Sequence, residues 1–136
     1  MKPKFRAWHK ELKKMFDVKS LVFTIGTATI ASRDDIVPSR NVGFDELIIM
    51  QSTGLIDKNG KEVFEGDVLK TYDGELTKVV WNKELACWEA EFLVEWEAEF
   101  LGEIVDLSEV ADVKCNRSYC EIVGNIWENK EFLEEE

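Results

Sequence analysis

The chain has 136 residues, 45% hydrophobic and 33% charged, with a formal net charge of −11. That length suits one domain, or one core with a smaller appendage, and the apolar content argues against disorder. No apolar run reaches the roughly 18 residues of a membrane-spanning helix, and the basic start Met1-Lys2-Pro3-Lys4-Phe5-Arg6-Ala7-Trp8 lacks the apolar segment of a secretory leader, so a cytoplasmic protein with no membrane role is expected.

Residues 5–8 and 15–18 read as two short strands around a polar turn. A helix over 7–16 is the alternative, because Trp8, Leu12, Met15 and Phe16 have helical spacing. Leu21-Val22-Phe23-Thr24-Ile25, β-branched and aromatic and ending at Gly26, reads as another strand. Residues 26–43 are the least patterned stretch and are expected to form a mobile loop. The apolar run Leu47-Ile48-Ile49-Met50-Gln51 predicts a buried strand. Asn59-Gly60 then predicts a type I′ hairpin turn, since both residues tolerate positive φ. Gly66 and Asp73-Gly74 mark further tight turns, with Leu76-Thr77-Lys78-Val79-Val80-Trp81 as the strand that follows. Short strands with Gly-centred turns indicate a small barrel or curled sheet.

The most informative feature is a duplication with a period of eight residues. Trp88-Glu89-Ala90-Glu91-Phe92-Leu93 recurs as Trp96-Glu97-Ala98-Glu99-Phe100-Leu101. Eight is even, so strand parity survives: Trp88, Ala90, Phe92, Val94, Trp96, Ala98 and Phe100 share one face. Glu89, Glu91, Leu93, Glu95, Glu97, Glu99 and Leu101 share the other. A helix would set the aromatics four apart but would gather fewer apolar residues on one side. A single strand over 88–101 would run about 46 Å, so it should bend, bulge or project as one arm of a hairpin over 84–107. Ile104-Val105-Asp106-Leu107 is its expected return. Residues 106–112 read as a short helical turn with Asp106 and Glu109 as a capping box, and 121–127 as the last strand. Asn129 is placed to cap a final turn carrying Phe132 and Leu133.

Charge is unevenly spread. Residues 1–83 hold 14 Lys/Arg and 12 Asp/Glu, a balance of +2, whereas 84–136 hold 3 and 16, a balance of −13. A strongly acidic half opposes a phosphate backbone, so nucleic acid is disfavoured as a partner. The basic residues Lys2, Lys4, Arg6, Lys10, Lys13 and Lys14 are the candidate contacts for an acidic partner or, in a second reading, for phosphates. Trp88, Phe92, Trp96 and Phe100, with Glu89, Glu91, Glu97 and Glu99, are the candidate protein contacts, because aromatics are enriched at binding hot spots. Filling a core is the competing role for Trp81, Trp88 and Trp127.

Reactive constellations are scarce. Cys87, Cys115 and Cys120 form no even disulfide set and no Cys-x-x-Cys, which favours reduced thiols. With His9, the only histidine, their spacing suits zinc poorly. A nucleophile built from His9, Asp17 and Cys115 or Cys120 has nothing in the spacing to favour it. The glutamate row reads as solvated carboxylates rather than an acid–base pair, which would need burial to raise a pKa. Gly66-Asp67 lacks the remainder of a phosphate loop, and Asp57-x-Asn59-Gly60 lacks the remaining acids of a calcium loop. The reading assigns no catalytic, cofactor-binding or metal residues, no cofactor and no small-molecule substrate.

Three blocks carry a resemblance. They are Lys4-Phe5-Arg6-Ala7-Trp8, then Met50-Gln51-Ser52-Thr53-Gly54-Leu55 running on through Asp57-Lys58-Asn59-Gly60-Lys61-Glu62-Val63-Phe64-Glu65-Gly66-Asp67-Val68, then Gly124-Asn125-Ile126-Trp127-Glu128-Asn129. Together they closely resemble the YopX family of small bacteriophage and prophage proteins, departing from it at the doubled unit. The resemblance implies a phage or prophage origin, a β-rich fold with a small SH3-like barrel, and no established enzymatic activity or site residues. The combined expectation is a mainly β, minor α+β protein. Its parts are an amino-terminal β element with a loop (1–46) and a barrel-like domain with a long acidic hairpin (47–136). It would act without enzymatic activity, by self-association or contact with a host protein. The alternatives are a nucleic-acid-linked SH3-like module and an acidic DNA mimic.

Overall fold

The computed structural model describes residues 4–33, 38–71, 74–93, 104–107 and 120–133. The chain divides into two compact units, Met1–Ser52 and Thr53–Glu136, with the division inside a strand rather than ahead of it at 46/47. The fold is mainly β, with eleven strands and two short 3-10 turns among the described residues.

The first unit contains β1 (Phe5–His9), β2 (Lys14–Val22), β3 (Thr27–Ala31), β4 (Arg40–Gly43) and the start of β5 (Leu47–Ile56). They are antiparallel in the order β4-β3-β2-β1-β5. The helix weighed over 7–16 gives way to the β1–β2 hairpin. Successive residues Ala7 and Trp8 of β1 are both buried, which a two-sided strand satisfies.

The strand expected over 21–25 is corrected. Leu21 and Val22 end β2, and Phe23–Gly26 form the turn into β3. The β propensity of Phe23, Thr24 and Ile25 is overruled by the turn, which Gly26 closes at φ 69° with its N–H donated to the Val22 carbonyl at 2.9 Å. The stretch 26–43 is likewise not patternless. It holds β3 and β4, with Ala28, Ile30 and Val42 turned into the core, while 34–37 lie outside the described residues. Small residues such as Thr27, Ala28 and Thr29 conceal that alternation in the sequence.

Register shows that this sheet coils. Gly43 pairs with Thr27 at the far end of β2, whereas Leu47 pairs with His9 beside its beginning. In a flat sheet those two levels would lie roughly 26 Å apart, yet the chain from 43 to 47 reaches about 14 Å at most. The short 3-10 turn Phe44–Glu46 bridges them, tied at one side by the Phe44 N–H to Gly26 and at the other by the Lys10 N–H to Glu46. Coiling brings Ala7, Phe16, Ala28, Ile30, Val42 and Leu47 into one core.

The second unit holds the rest of β5, then β6 (Glu62–Phe64), β7 (Asp67–Lys70), β8 (Leu76–Asn82), β9 (Cys87–Phe92), β10 (Ile104–Asp106) and β11 (Glu121–Asn125). β6 pairs with β5, and the remaining five strands form a sheet ordered β10-β9-β8-β7-β11. Val63, Leu69, Val79, Ala90, Leu107 and Cys120 make its core. Neither sheet closes on itself among the described residues, so the SH3-like barrel implied by the resemblance is not confirmed. β10 does return against β9, pairing Ile104 with Glu91 and Val105 with Ala90, as the hairpin reading expects. Leu107 is buried, and 108–119, where most of the expected helical turn falls, lie outside the described residues.

The Asn59-Gly60 turn departs from type I′. Only Gly60 has positive φ, at 79°, and the loop is closed by Gly60 N–H to the Asp57 carbonyl and Asp57 N–H to the Lys61 carbonyl. This is a hairpin loop of three residues, in which a single left-handed position suffices.

Three hairpins share another design. β1–β2, β2–β3 and β8–β9 each turn in four residues, and the fourth is left-handed: Lys13 at φ 52°, Gly26 at 69° and Ala86 at 52°. A residue with a Cβ pays about 1–2 kcal/mol there. Lys13→Gly and Ala86→Gly are each expected to raise unfolding stability by about 0.5–1 kcal/mol, seen in urea melts as a higher midpoint with an unchanged slope. The corresponding Gly26→Ala should lower it.

Candidate functional site

Polar side chains buried in the second unit hold backbone. Asp57 accepts from the N–H groups of Asn59 (2.9 Å) and Lys61 (2.8 Å) on Oδ1, and from that of Ile122 (3.0 Å) on Oδ2. Asp67 Oδ2 accepts from the Phe64 N–H at 2.8 Å, closing the turn between β6 and β7. Asn125 Oδ1 accepts from Trp127 and Glu128 N–H, and the Asn129 side chain reciprocates on the Asn125 N–H. Asn129 therefore braces the turn behind it, rather than simply capping the turn ahead. Thr71 Oγ1 accepts from Glu75 N–H in a loop built like that of Asp57.

The only histidine serves a turn as well. His9 is buried, its Nδ1 accepts the Leu12 N–H at 3.1 Å, and its ring lies edge-on to Phe16. Asp17 does not orient it. Asp17 pairs in register with Arg6, on the sheet face opposite His9, and takes the Arg33 Nε–H at 3.2 Å. Cys87 and Cys120 are not joined in a disulfide. Among the described residues no cluster of three His, Cys, Asp or Glu side chains has metal-binding geometry.

Over 88–92 the predicted parity is present. Trp88 and Ala90 face the core, while Glu89 and Glu91 face away. Trp88 packs against that core and meets Trp81, its register partner on β8, edge to face with centroids 4.8 Å apart. Phe92 is half-buried. Glu89 and Glu91 are not simply solvated: Asn82 Nδ2 donates to Glu89 at 3.1 Å, and Lys78 Nζ lies 3.3 Å from Glu91. Trp96, Phe100, Glu97 and Glu99 lie outside the described residues.

The basic set is dispersed. Arg6 is only 4% exposed, which removes it from any phosphate contact and corrects its place in that set. Its strand, β1, is paired on both edges, with β2 and with β5. Lys4, Lys10, Lys13 and Lys14 are exposed, and Lys2 lies outside the described residues. Lys10 Nζ donates to the Asp45 carbonyl at 3.1 Å, and Lys14 Nζ sits 5.7 Å from the centre of the Phe16 ring.

Among the described residues, the surface features that sequence reasoning missed include two apolar hairpin tips. In the first unit Phe23 is 77% exposed and Ile25 71%, with Val22 beside them and the Phe23 ring edge-on to Phe44 at 5.9 Å. In the second unit Leu85 is 70% exposed in the β8–β9 turn, and Trp81 is 44% exposed next to it in the same hairpin. The available signal was Gly26 itself: a left-handed closing glycine after an apolar run marks the end of that run as a turn.

Comparison with known proteins fits this frame. The model of the YopX protein family matches residues 4–134. The chain belongs to the YopX family. The crystal structure of protein EF1440 from Enterococcus faecalis is 30% identical and superposes with a TM-score of 0.59. The match covers 98% of this chain and 99% of that one. No curated protein matches. In this YopX chain the telling blocks coincide with the braced turns: Asp57 to Asp67, and Asn125 to Asn129. They specify architecture.

Asp57→Asn is accordingly expected to destabilise the protein by about 2–3 kcal/mol. An amide keeps one acceptor oxygen, and its NH2 must face at least one of three backbone N–H groups. Urea denaturation checks this, with Lys58→Ala, which removes only an exposed ion pair to Glu121, as the near-neutral control.

Proposed function

We propose that this YopX protein is a non-enzymatic accessory protein of a bacteriophage or prophage that works through protein contacts in the host cytoplasm. The observation that carries the reading is the pair Phe23 and Ile25, more than two-thirds exposed on a turn fixed by Gly26 and by the Phe23–Phe44 contact. Large apolar side chains held out on a braced turn suit anchoring in a partner's pocket. The commitment of Asp57, Asn125 and His9 to backbone N–H groups supports a non-catalytic role, because these side chains already serve the fold. The thiols Cys87 and Cys120 suit a reducing compartment. The nucleic-acid reading draws less support, with Arg6 buried and the net charge at −11.

The test is capture from nuclease-treated bacterial extract on immobilised wild type and on a Phe23→Asp/Ile25→Asp variant. Wild type should retain a protein, host or additional copies of itself, that the variant loses while keeping the same thermal midpoint. Retention indifferent to the double substitution, or abolished by nuclease, would sink the reading.

A further inference from the structure

The hairpin loop after β5 brings together both partners of a spontaneous backbone reaction. Asparagine is a chemically labile residue. Asn59 is exposed, and it is followed by Gly60, which has no Cβ to keep its amide nitrogen from the preceding side-chain carbonyl. A Cβ built at Gly60 would meet nothing within 4 Å, so the pair stands open to water. The other described asparagines, Asn41, Asn82, Asn125 and Asn129, precede residues with a Cβ, and each has its side chain hydrogen-bonded. The Gly60 nitrogen is nevertheless restrained. Its N–H donates to the Asp57 carbonyl at 3.0 Å, and Asp57 Oδ1 holds the N–H groups on either side, of Asn59 at 2.9 Å and Lys61 at 2.8 Å.

We propose that Asn59 is a self-modification site, deamidating through the Gly60 nitrogen at a rate set by opening of the Asp57 brace, and that the product loosens β11. This is independent of the protein-contact reading. The Gly60 nitrogen, its proton lost to solvent, bonds to the Asn59 side-chain carbonyl carbon; the amide C–N bond there breaks, and ammonia leaves a cyclic imide. Water then opens the ring. Cleavage at the side-chain carbonyl gives aspartate, and cleavage at the main-chain carbonyl gives isoaspartate. Asparagine and water thus become a carboxylic acid and ammonia, with no electron transfer. Isoaspartate routes the main chain through the side-chain methylene, adding a bond of about 1.5 Å to a short loop. The Lys61 N–H then loses its place on Asp57 Oδ1, while Oδ2 of the same carboxylate holds the Ile122 N–H at 3.0 Å. Damage to the loop therefore reaches β11.

Peptide mapping by mass spectrometry follows conversion at position 59 of the full chain over weeks at mildly alkaline pH. Native wild type is compared with wild type unfolded in guanidinium chloride and with Asp57→Ser, using Asn59→Gln as the blank. Native wild type should convert at least about tenfold more slowly than the unfolded chain, which corresponds to ~1.4 kcal/mol of local opening. Asp57→Ser, verified as folded by thermal melt, should recover most of that difference. Should that variant be unfolded, exchange of the wild-type Gly60 amide replaces it, with slow exchange expected. A native chain that never converts, or converts as fast as the unfolded one, overturns the proposal. So does a folded Asp57→Ser that converts as slowly as wild type, or a Gly60 amide that exchanges as in the unfolded chain. In converted protein the Ile122 amide should lose exchange protection that Asn59→Asp, with the charge but not the longer backbone, retains. Unchanged protection at Ile122 overturns the link to β11.

Discussion

The architecture of the second unit depends on one carboxylate. Asp57 collects three backbone N–H groups, two from its own turn and one from Ile122, 65 residues further along the chain. No neutral side chain offers the same service, because only an ionised carboxylate presents two oxygens as acceptors with no donor to misplace. Beside it the Lys58 N–H donates to the Cys120 carbonyl, so the turn after β5 covers the outer side of β11 where that strand begins. β11 is an edge of the five-stranded sheet, and an uncovered edge is a template for another strand. The turn thus does for this open sheet part of what closure does for a barrel.

Other turns continue the same scheme. The Gly66 N–H donates to the Val79 carbonyl on β8, and the Gly66 carbonyl accepts the N–H of Ile126 just past β11. Asp67 fixes the preceding turn, and Asn125 and Asn129 fix the following one. Residues far apart in sequence therefore meet through short polar side chains, with apolar packing of Val63, Leu69, Val79 and Ala90 beneath them. Buried polar groups of this kind contribute modestly when satisfied and cost much more when a partner is removed. That asymmetry makes the order of the turns, more than the size of the core, the feature that defines the fold.

The same physics explains which parts of the sequence were transparent. Runs such as residues 47–51 and 76–81 announced β5 and β8, and even-period duplication announced the parity of β9, because side-chain alternation is a direct consequence of extended backbone. The residues 27–31 and 40–43 did not announce β3 and β4. Their inward positions are filled partly by Ala28, whose small side chain fits a coiled sheet but carries little hydrophobic signal. Lys13 and Ala86 adopt left-handed φ without any local marker, since the closing hairpin rather than the residue imposes it. The aromatic face at Trp88 was visible, but its partnership with Trp81 and the core depends on a register that propensity does not contain. The apolar tips were hidden for a related reason: Phe23 and Ile25 look like strand interior until Gly26 is read as their terminator.

Those tips differ from scattered surface hydrophobics in being braced. Phe23 lies against Phe44, and Trp81 against Trp88, so each of these exposed rings already has a neighbour limiting its rotamers. Binding through loose side chains loses about 0.5–1.5 kcal/mol for each one ordered, a cost that a pre-positioned ring largely avoids. The two hairpins that carry them share the four-residue turn, closed by left-handed Gly26 in one and left-handed Ala86 in the other. The fold thus holds the Phe23 and Trp81 rings at solvent-exposed ends of its hairpins with less conformational freedom than a loose surface side chain has.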